Sequence, residues 1–420
     1  MRVLLGCFMV AAISVVAAGC DDETSPAPSI TVPPAPTYTA GNLSVAQRGV
    51  SVDGEDLKIF GSGIDASKLN EDFGLLVLNL PYVDNPTGCP QPEQAARVQP
   101  LAKAQALLAE ARSEGLSFER LAVNVDLLTP GRRGLLHICP PVKPRFDEAN
   151  HREAVLEAFR DLAGLEGLAY ITVGLEMNTY YHLSVDGKST RDDYTNYVTL
   201  YRSVYAAIKE INPEIQVGPG VNWASFMRLT VPEITELYGV AELTAAQTLQ
   251  DPFLFEAVQL AARRTIWPLL FEDYQLKNAT ADFLGLTMIP RQNEAPFSGS
   301  PAPEDEASVL AHYRYVDVVA AGLPVVLPQI DWETQSGANA NNKAVYLTVL
   351  KKALSHVEIK WAAWRRLADV PELTEGSNPC GRFTESRDPA LNYTVDYCYA
   401  GMINDLGQER EVYRVLTTNP

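Results

Sequence analysis

Ile171-Thr172-Val173-Gly174-Leu175-Glu176-Met177-Asn178 is an apolar run that breaks at a glycine and ends in a carboxylate. With Tyr170 before it, the stretch Tyr170–Leu175 predicts a strand buried on both faces, because it lacks the polar alternation of a half-exposed strand. Helical patterns flank it. Glu153–Leu165 sets Val155, Leu156, Phe159 and Leu162 on one face at three- and four-residue spacing, and Asp193–Asn212 does the same with Tyr197, Tyr201, Tyr205 and Ile208. A fully apolar strand between two amphipathic helices is the repeating unit of a parallel sheet covered by helices.

Working outward, similar runs predict strands at Leu75–Tyr82, Leu121–Leu128, Ile215–Val221, Phe283–Pro290, Pro324–Ile330 and Ile359–Trp364, with an Ala- and Leu-rich helix over Glu93–Glu114. Seven strands suit either a barrel or a doubly wound sheet. An eighth near Leu57–Phe60, before Gly61-Ser62-Gly63, would close a (β/α)8 TIM-type barrel, the preferred reading. The step from Phe60 to Leu75 is too short for an ordinary crossover helix, so the first unit is expected to be irregular. Two insertions, Ala224–Ala281 (mostly helical) and the Cys-bearing Asp369–Tyr399, follow strands and therefore belong on the C-terminal face of a barrel, where active sites lie.

The chain begins with an address. Arg2 precedes an apolar run, Val3–Ala18, too short for a comfortable membrane span, and small residues lead into Cys20. Val16-Ala17-Ala18-Gly19-Cys20 resembles a bacterial lipobox, which implies lipidation of Cys20, anchoring in the cell envelope by that lipid alone, and a body outside the cytoplasm. Asp21 resembles an inner-membrane retention signal of some bacteria. The expected organisation is a signal peptide over 1–19, a Pro-rich tether over 20–40 and one folded domain over 41–420.

Thirty-four Lys and Arg against 52 Asp and Glu give a net charge of -18, which repels nucleic acid and anionic lipid headgroups. Cys89, Cys139, Cys380 and Cys398 remain beside Cys20, and an even number in an exported chain favours two disulfides, with three connectivities open. Cys89 and Cys139 follow consecutive strands onto one face and can pair, leaving Cys380 to Cys398. His137, His151, His182, His312 and His356 lack metal-ligand spacing, and neither a phosphate loop nor a Gly-x-Ser-x-Gly elbow is present. No metal and no cofactor are expected, and the body is read as a monomer.

Glu176, at a strand end, can serve as a general acid, and Thr179-Tyr180-Tyr181-His182 after it offers aromatic faces to a sugar. The bland reading is a structural carboxylate bonded to a neighbouring loop. At these residues the chain resembles the retaining (β/α)8 glycoside hydrolases of clan A, most nearly their endo-galactanase family, whose fourth strand reads Gly-Asn-Glu-x-Asn. Gly174, Glu176 and Asn178 match it, which implies Glu176 as acid/base of O-glycosyl bond hydrolysis and a carbohydrate partner. Ile211 to Gly218, Asp282 to Pro290 and Leu323 to Trp332 resemble the approaches to the fifth, sixth and seventh strands. Trp361 or Trp364 falls where the last strand carries a sugar-platform Trp. Val83-Asp84-Asn85-Pro86 resembles the second unit and Gly401–Leu416 the close of the barrel, so the likeness spans roughly 74 to 416.

The departures fall at functional positions. Gln329 stands where the nucleophile belongs, and an amide cannot form the covalent glycosyl intermediate of retention. Leu175 replaces the Asn before the acid/base, Val77-Leu78-Asn79-Leu80 lacks the family's Arg and Asn124-Val125-Asp126-Leu127 its His. Asp331 and Glu333 share strand parity with Gln329, and either could act as base for inversion, with carboxyl groups roughly 6.5 to 9.5 Å apart. Trp223, Trp332, Trp361, Trp364, Tyr180 and Tyr181, with Asn178 and Gln329, are the candidate sugar contacts, although any single aromatic is more often core. Three readings stand: an envelope-anchored glycoside hydrolase using Glu176 with Asp331 or Glu333, a glycan-binding lipoprotein without turnover, and a structural lipoprotein.

Overall fold

In the computed structural model, eight parallel strands close into a barrel: β1 (Arg48–Val52), β2 (Leu75–Pro81), β3 (Leu121–Asp126), β4 (Leu168–Val173), β5 (Gln216–Asn222), β6 (Leu284–Met288), β7 (Val325–Ile330) and β8 (Ile359–Trp364). Each pairs with its sequence neighbour, and β8 returns to β1 through Arg48 with Ala362 and Gly49 with Ala363. The structure describes residues 31–52, 65–82, 100–128, 135, 145–185, 187–227, 251–273, 275–289, 305–332, 340–368, 401–404 and 408–418. The body is one compact unit from Pro34 to Pro420. The barrel is the expected (β/α)8 TIM-type fold, not a doubly wound sheet.

The first strand is not where the sequence reading put it. Arg48–Val52 closes the barrel, while Leu57–Phe60 lies outside the described residues. Arg48-Gly49-Val50-Ser51-Val52 looks unlike a buried strand because Gly and Ser occupy its inward positions. A Cβ on Gly49 would sit 2.7 Å from Val77 Cγ2 and 3.2 Å from Ala363 Cβ, so the strand can approach its neighbours only as glycine. Moving the strand upstream also removes the short crossover. Helix α1 (Ala66–Asp72), capped by Asp65 accepting from the Ser67 and Lys68 amides, fits between β1 and β2.

Helices follow the other strands as well. Helices α2 (Pro100–Ser113), α3 (Ala149–Leu162) and α4 (Arg191–Ile211) follow β2, β3 and β4. The insertion after β5 contributes α5 (Asp251–Thr265) and α6 (Trp267–Leu270). Then come α7 (Glu306–Tyr313), α8 (Val316–Ala320), α9 (Ala340–Ala353) and the closing α10 (Glu411–Thr417). Inside, Leu75, Val77, Ala122, Tyr170, Phe283, Val326, Trp361 and Ala363 form the barrel's packed core.

One irregularity decides what faces the mouth. Val326 pairs with Gly285 and Gln329 with Thr287, while on the other side Leu327 pairs with Ala362 and Ile330 with Trp364. Both neighbours skip the same residue, Pro328, which therefore forms a bulge in β7. Proline has no N–H for the ladder and suits such a position. The bulge resets the period of two, so Val326 and Gln329 both face inward.

The chain joins the body earlier than the expected tether boundary at Ala40. Tyr38 donates its hydroxyl to the Leu310 carbonyl at 3.3 Å, and the Thr39 amide donates to Ser355 Oγ at 2.9 Å. Cys20, Cys89, Cys139, Cys380, Cys398, His137, Val83–Pro86 and the insertion 369–399 lie outside the described residues. Among the described residues no helix is long and apolar enough to cross a membrane, and no His, Cys, Asp and Glu cluster could hold a metal ion.

Candidate functional site

All eight strands run the same way, so the residues just beyond their ends share one rim. After Val173 the chain turns sharply: Gly174 has φ +73° and Glu176 φ +58°, both left-handed. At Gly174 the turn requires glycine, since a Cβ would meet Met177 Cγ at 2.5 Å and the Tyr197 hydroxyl at 2.8 Å. Tyr197, on α4, donates to the Val173 carbonyl at 2.8 Å, and the Gly220 amide donates to the Gly174 carbonyl at 3.0 Å, which pins the turn from both sides. Glu176 has a side chain and still adopts this conformation, at a cost of order 1 kcal/mol. It opens a 3-10 helix, Met177–His182, whose first turn returns the Thr179 amide and hydroxyl to the Glu176 carbonyl at 2.9 and 2.7 Å. The Glu176 side chain is buried.

The residues after Glu176 hold that turn in place. Asn178 spends its amide on the backbone of Asn222 at the end of β5, accepting from the N–H at 2.8 Å and donating to the carbonyl at 3.0 Å. It is a strut between β4 and β5, not the free sugar contact expected. Tyr180 is fully buried, donates its hydroxyl to Asp193 Oδ2 at 2.6 Å, and is pushed well above the ordinary phenol range by burial and then by that carboxylate. Asp193 also accepts the Phe146 amide at 2.9 Å, so one buried carboxylate joins the loop before α3, the loop after β4 and the start of α4. Only Tyr181 of the expected tyrosine pair is partly open, with the Arg191 guanidinium 5.3 Å from its ring centre. Asp193→Ala strands two buried donors and is expected to cost about 3 kcal/mol in urea unfolding. An unchanged midpoint would mean the three segments hold without it.

Across the rim, Gln329 faces inward and is partly exposed, and among the described residues no hydrogen bond takes its amide. Asp331 differs from the expected base. Its carboxylate is fully buried, accepts from the Trp332 amide at 2.8 Å and from Lys343 Nζ at 3.3 Å, and has the Arg365 guanidinium 3.6 Å from Oδ2. Two cations face it, and its Oδ2 is buried without a hydrogen bond. Glu333, the other candidate, lies outside the described residues.

The tryptophans are core. Trp223 donates to the His312 carbonyl at 3.1 Å and packs against Phe226 and Tyr313. Trp332 lies against Tyr346 with ring centres 5.0 Å apart, and Trp364 is buried with Lys343 Nζ 5.9 Å from its ring centre. Trp361 belongs to the interior layer with Tyr170, well below the rim. Trp223, Trp332 and Trp364 border the rim as packed walls, and none offers the open platform the sequence suggested.

Sequence reasoning missed a polar layer inside the mouth. Asn124 Nδ2 donates to Asn79 Oδ1 at 2.9 Å, and Asn79 Nδ2 donates to Ser51 Oγ at 2.6 Å. Asn124 Oδ1, Thr172 Oγ1 and Thr287 Oγ1 are buried with no partner in the structure. A lone Asn or Thr at an inward position of an otherwise apolar strand was the available signal. A cavity of about 290 Å³ lies elsewhere, on the barrel flank between residues 39–43, α9 and the outer faces of β7 and β8.

No family model and no curated protein matches the chain. Solved structures do. An exo-β-1,4-mannosidase from Opitutaceae bacterium strain TAV5 aligns at 14% identity with TM-score 0.55 over 89% of this chain, which spans only 58% of that protein. A GH5_18 protein from Bifidobacterium longum subsp. longum aligns at 13% identity with TM-score 0.54, covering 89% of this chain and 78% of that one. A Streptomyces cattleya GH5_18 E153A variant, solved with Manβ1-4GlcNAc, aligns at 14% identity with TM-score 0.52, covering 88% and 79%. The likeness does not single out the endo-galactanase family. At such identities it shows the fold alone: this chain has the barrel fold of these glycoside hydrolases.

Proposed function

We propose that the rim site binds a poly- or oligosaccharide, and that the protein is an envelope-anchored, glycoside-hydrolase-like lipoprotein that holds its glycan without retaining turnover. The observation that carries this is the pairing of a buried Glu176 at the end of β4 with an inward-facing Gln329 at the end of β7. Retention needs a carboxylate at both places, and an amide at the second can bind a sugar but cannot attack its anomeric carbon. The strained backbone at Glu176 adds support, since such conformations persist mainly where the site requires them.

Inverting hydrolysis is the second reading. Asp331 is held by Lys343 and Arg365, so the base would have to be Glu333. A glycan panel led by β-mannosides, which the structural neighbours suggest, with β-1,4-galactan beside them, tests both readings. Binding without reducing-end release is expected, with Glu176→Gln still binding. Release abolished by Glu176→Gln would establish hydrolysis, and product anomers read by NMR would identify inversion. Neither binding nor release would leave a structural lipoprotein.

A further inference from the structure

Thr287 Oγ1 is fully buried and has no partner in the structure. Phe283 lies in the barrel core, and the period of two puts Gly285 and then Thr287 on the same inward face of β6. Thr287 pairs in register with Asn222 on one side and Gln329 on the other. The three residues therefore form an arc across β5, β6 and β7 beside the turn that carries Glu176. The Asn222 carboxamide oxygen already accepts the Ser225 amide at 2.7 Å, whereas the Gln329 amide is unengaged among the described residues. A buried hydroxyl left unpaired is costly, and valine would fill the same space without that cost.

We propose that Thr287 and the Gln329 amide are the hydroxyl-reading floor of the rim site and select a neutral sugar. This deepens the glycan-binding reading above and rests on it. Thr287 lies too deep to touch a ligand on the rim, so it holds an ordered water that bridges to a ring hydroxyl, while Gln329 contacts the sugar from the rim. Bridging water serves nearly as well as a direct bond. The arc is uncharged, and Glu176 beside it, in a protein of net charge -18, disfavours a uronic or sulfated sugar.

The test uses the full protein, an array of neutral and acidic oligosaccharides, and calorimetry on the tightest ligand and its monodeoxy series. Wild type is expected to retain neutral members. Thr287→Val should bind about tenfold more weakly with no loss of thermal stability, and Thr287→Ser should restore affinity. One deoxy position should cost wild type the same factor and cost Thr287→Val nothing further. Equal affinity of wild type and Thr287→Val, or preference for acidic members, overturns the floor while leaving glycan binding intact. Retention of no glycan by wild type overturns the glycan-binding reading itself, and the floor with it.

Discussion

The Gln329→Glu variant is expected to hydrolyse activated aryl β-glycosides at least about a hundredfold faster than wild type, which corresponds to about 2.7 kcal/mol of barrier. Glutamine and glutamate share a shape, and the Pro328 bulge already turns position 329 inward. The new carboxylate can attack the anomeric carbon while Glu176 protonates the departing oxygen. Water then cleaves the glycosyl ester, with Glu176 now taking its proton. The gain stops well short of a mature enzyme because the other departures, Leu175 among them, remain. Adding Glu176→Gln to the variant should erase the gain. If Gln329→Glu alone stays at the wild-type rate, Gln329 does not stand across from Glu176 at reacting distance, and the retaining geometry is absent for reasons beyond one amide.

What could be read from the chain follows from which side of each strand carries information. Strands β2 to β8 are long enough, and apolar enough on both faces, for their runs to stand out against flanking helices. Their edges fall within about two residues of the expected ones. β1 escaped because the narrowing barrel wants Gly49 and Ser51 inside, a composition that reads as a turn. The Pro328 bulge was equally invisible, since a proline in an apolar run shows neither which way its neighbours turn nor that both adjacent strands will skip it. Glu176 was legible from its place after Gly174. The aromatics were not: ring size is the same for a core residue and a sugar platform, and only tertiary contacts show that Trp361 packs on Tyr170 and that Tyr180 bonds Asp193. Asp331 was misread for a similar reason. Parity put it on the right face, but its cations lie twelve residues on at Lys343 and across a strand at Arg365.

That arrangement leads to the second large effect. Asp331→Asn is expected to destabilise the fold by about 3 to 5 kcal/mol, because it removes a buried carboxylate that faces two buried cations, and breaking a buried ion pair is strongly destabilising. Lys343 keeps only 2% of its side chain exposed and Arg365 7%, so water cannot replace the lost charge. Asp331→Leu combined with Lys343→Met should recover part of the loss, since that apolar pair carries no such penalty while Arg365 stays in place, and the double-mutant cycle should show coupling. Urea unfolding of the single and double variants separates this role from a catalytic one. A general base replaced by its amide costs rate and leaves the unfolding midpoint in place, whereas a structural carboxylate costs stability first. An Asp331→Asn protein as stable as wild type would free Asp331 from its ion pairs and return it to the rim as a partner for Glu176.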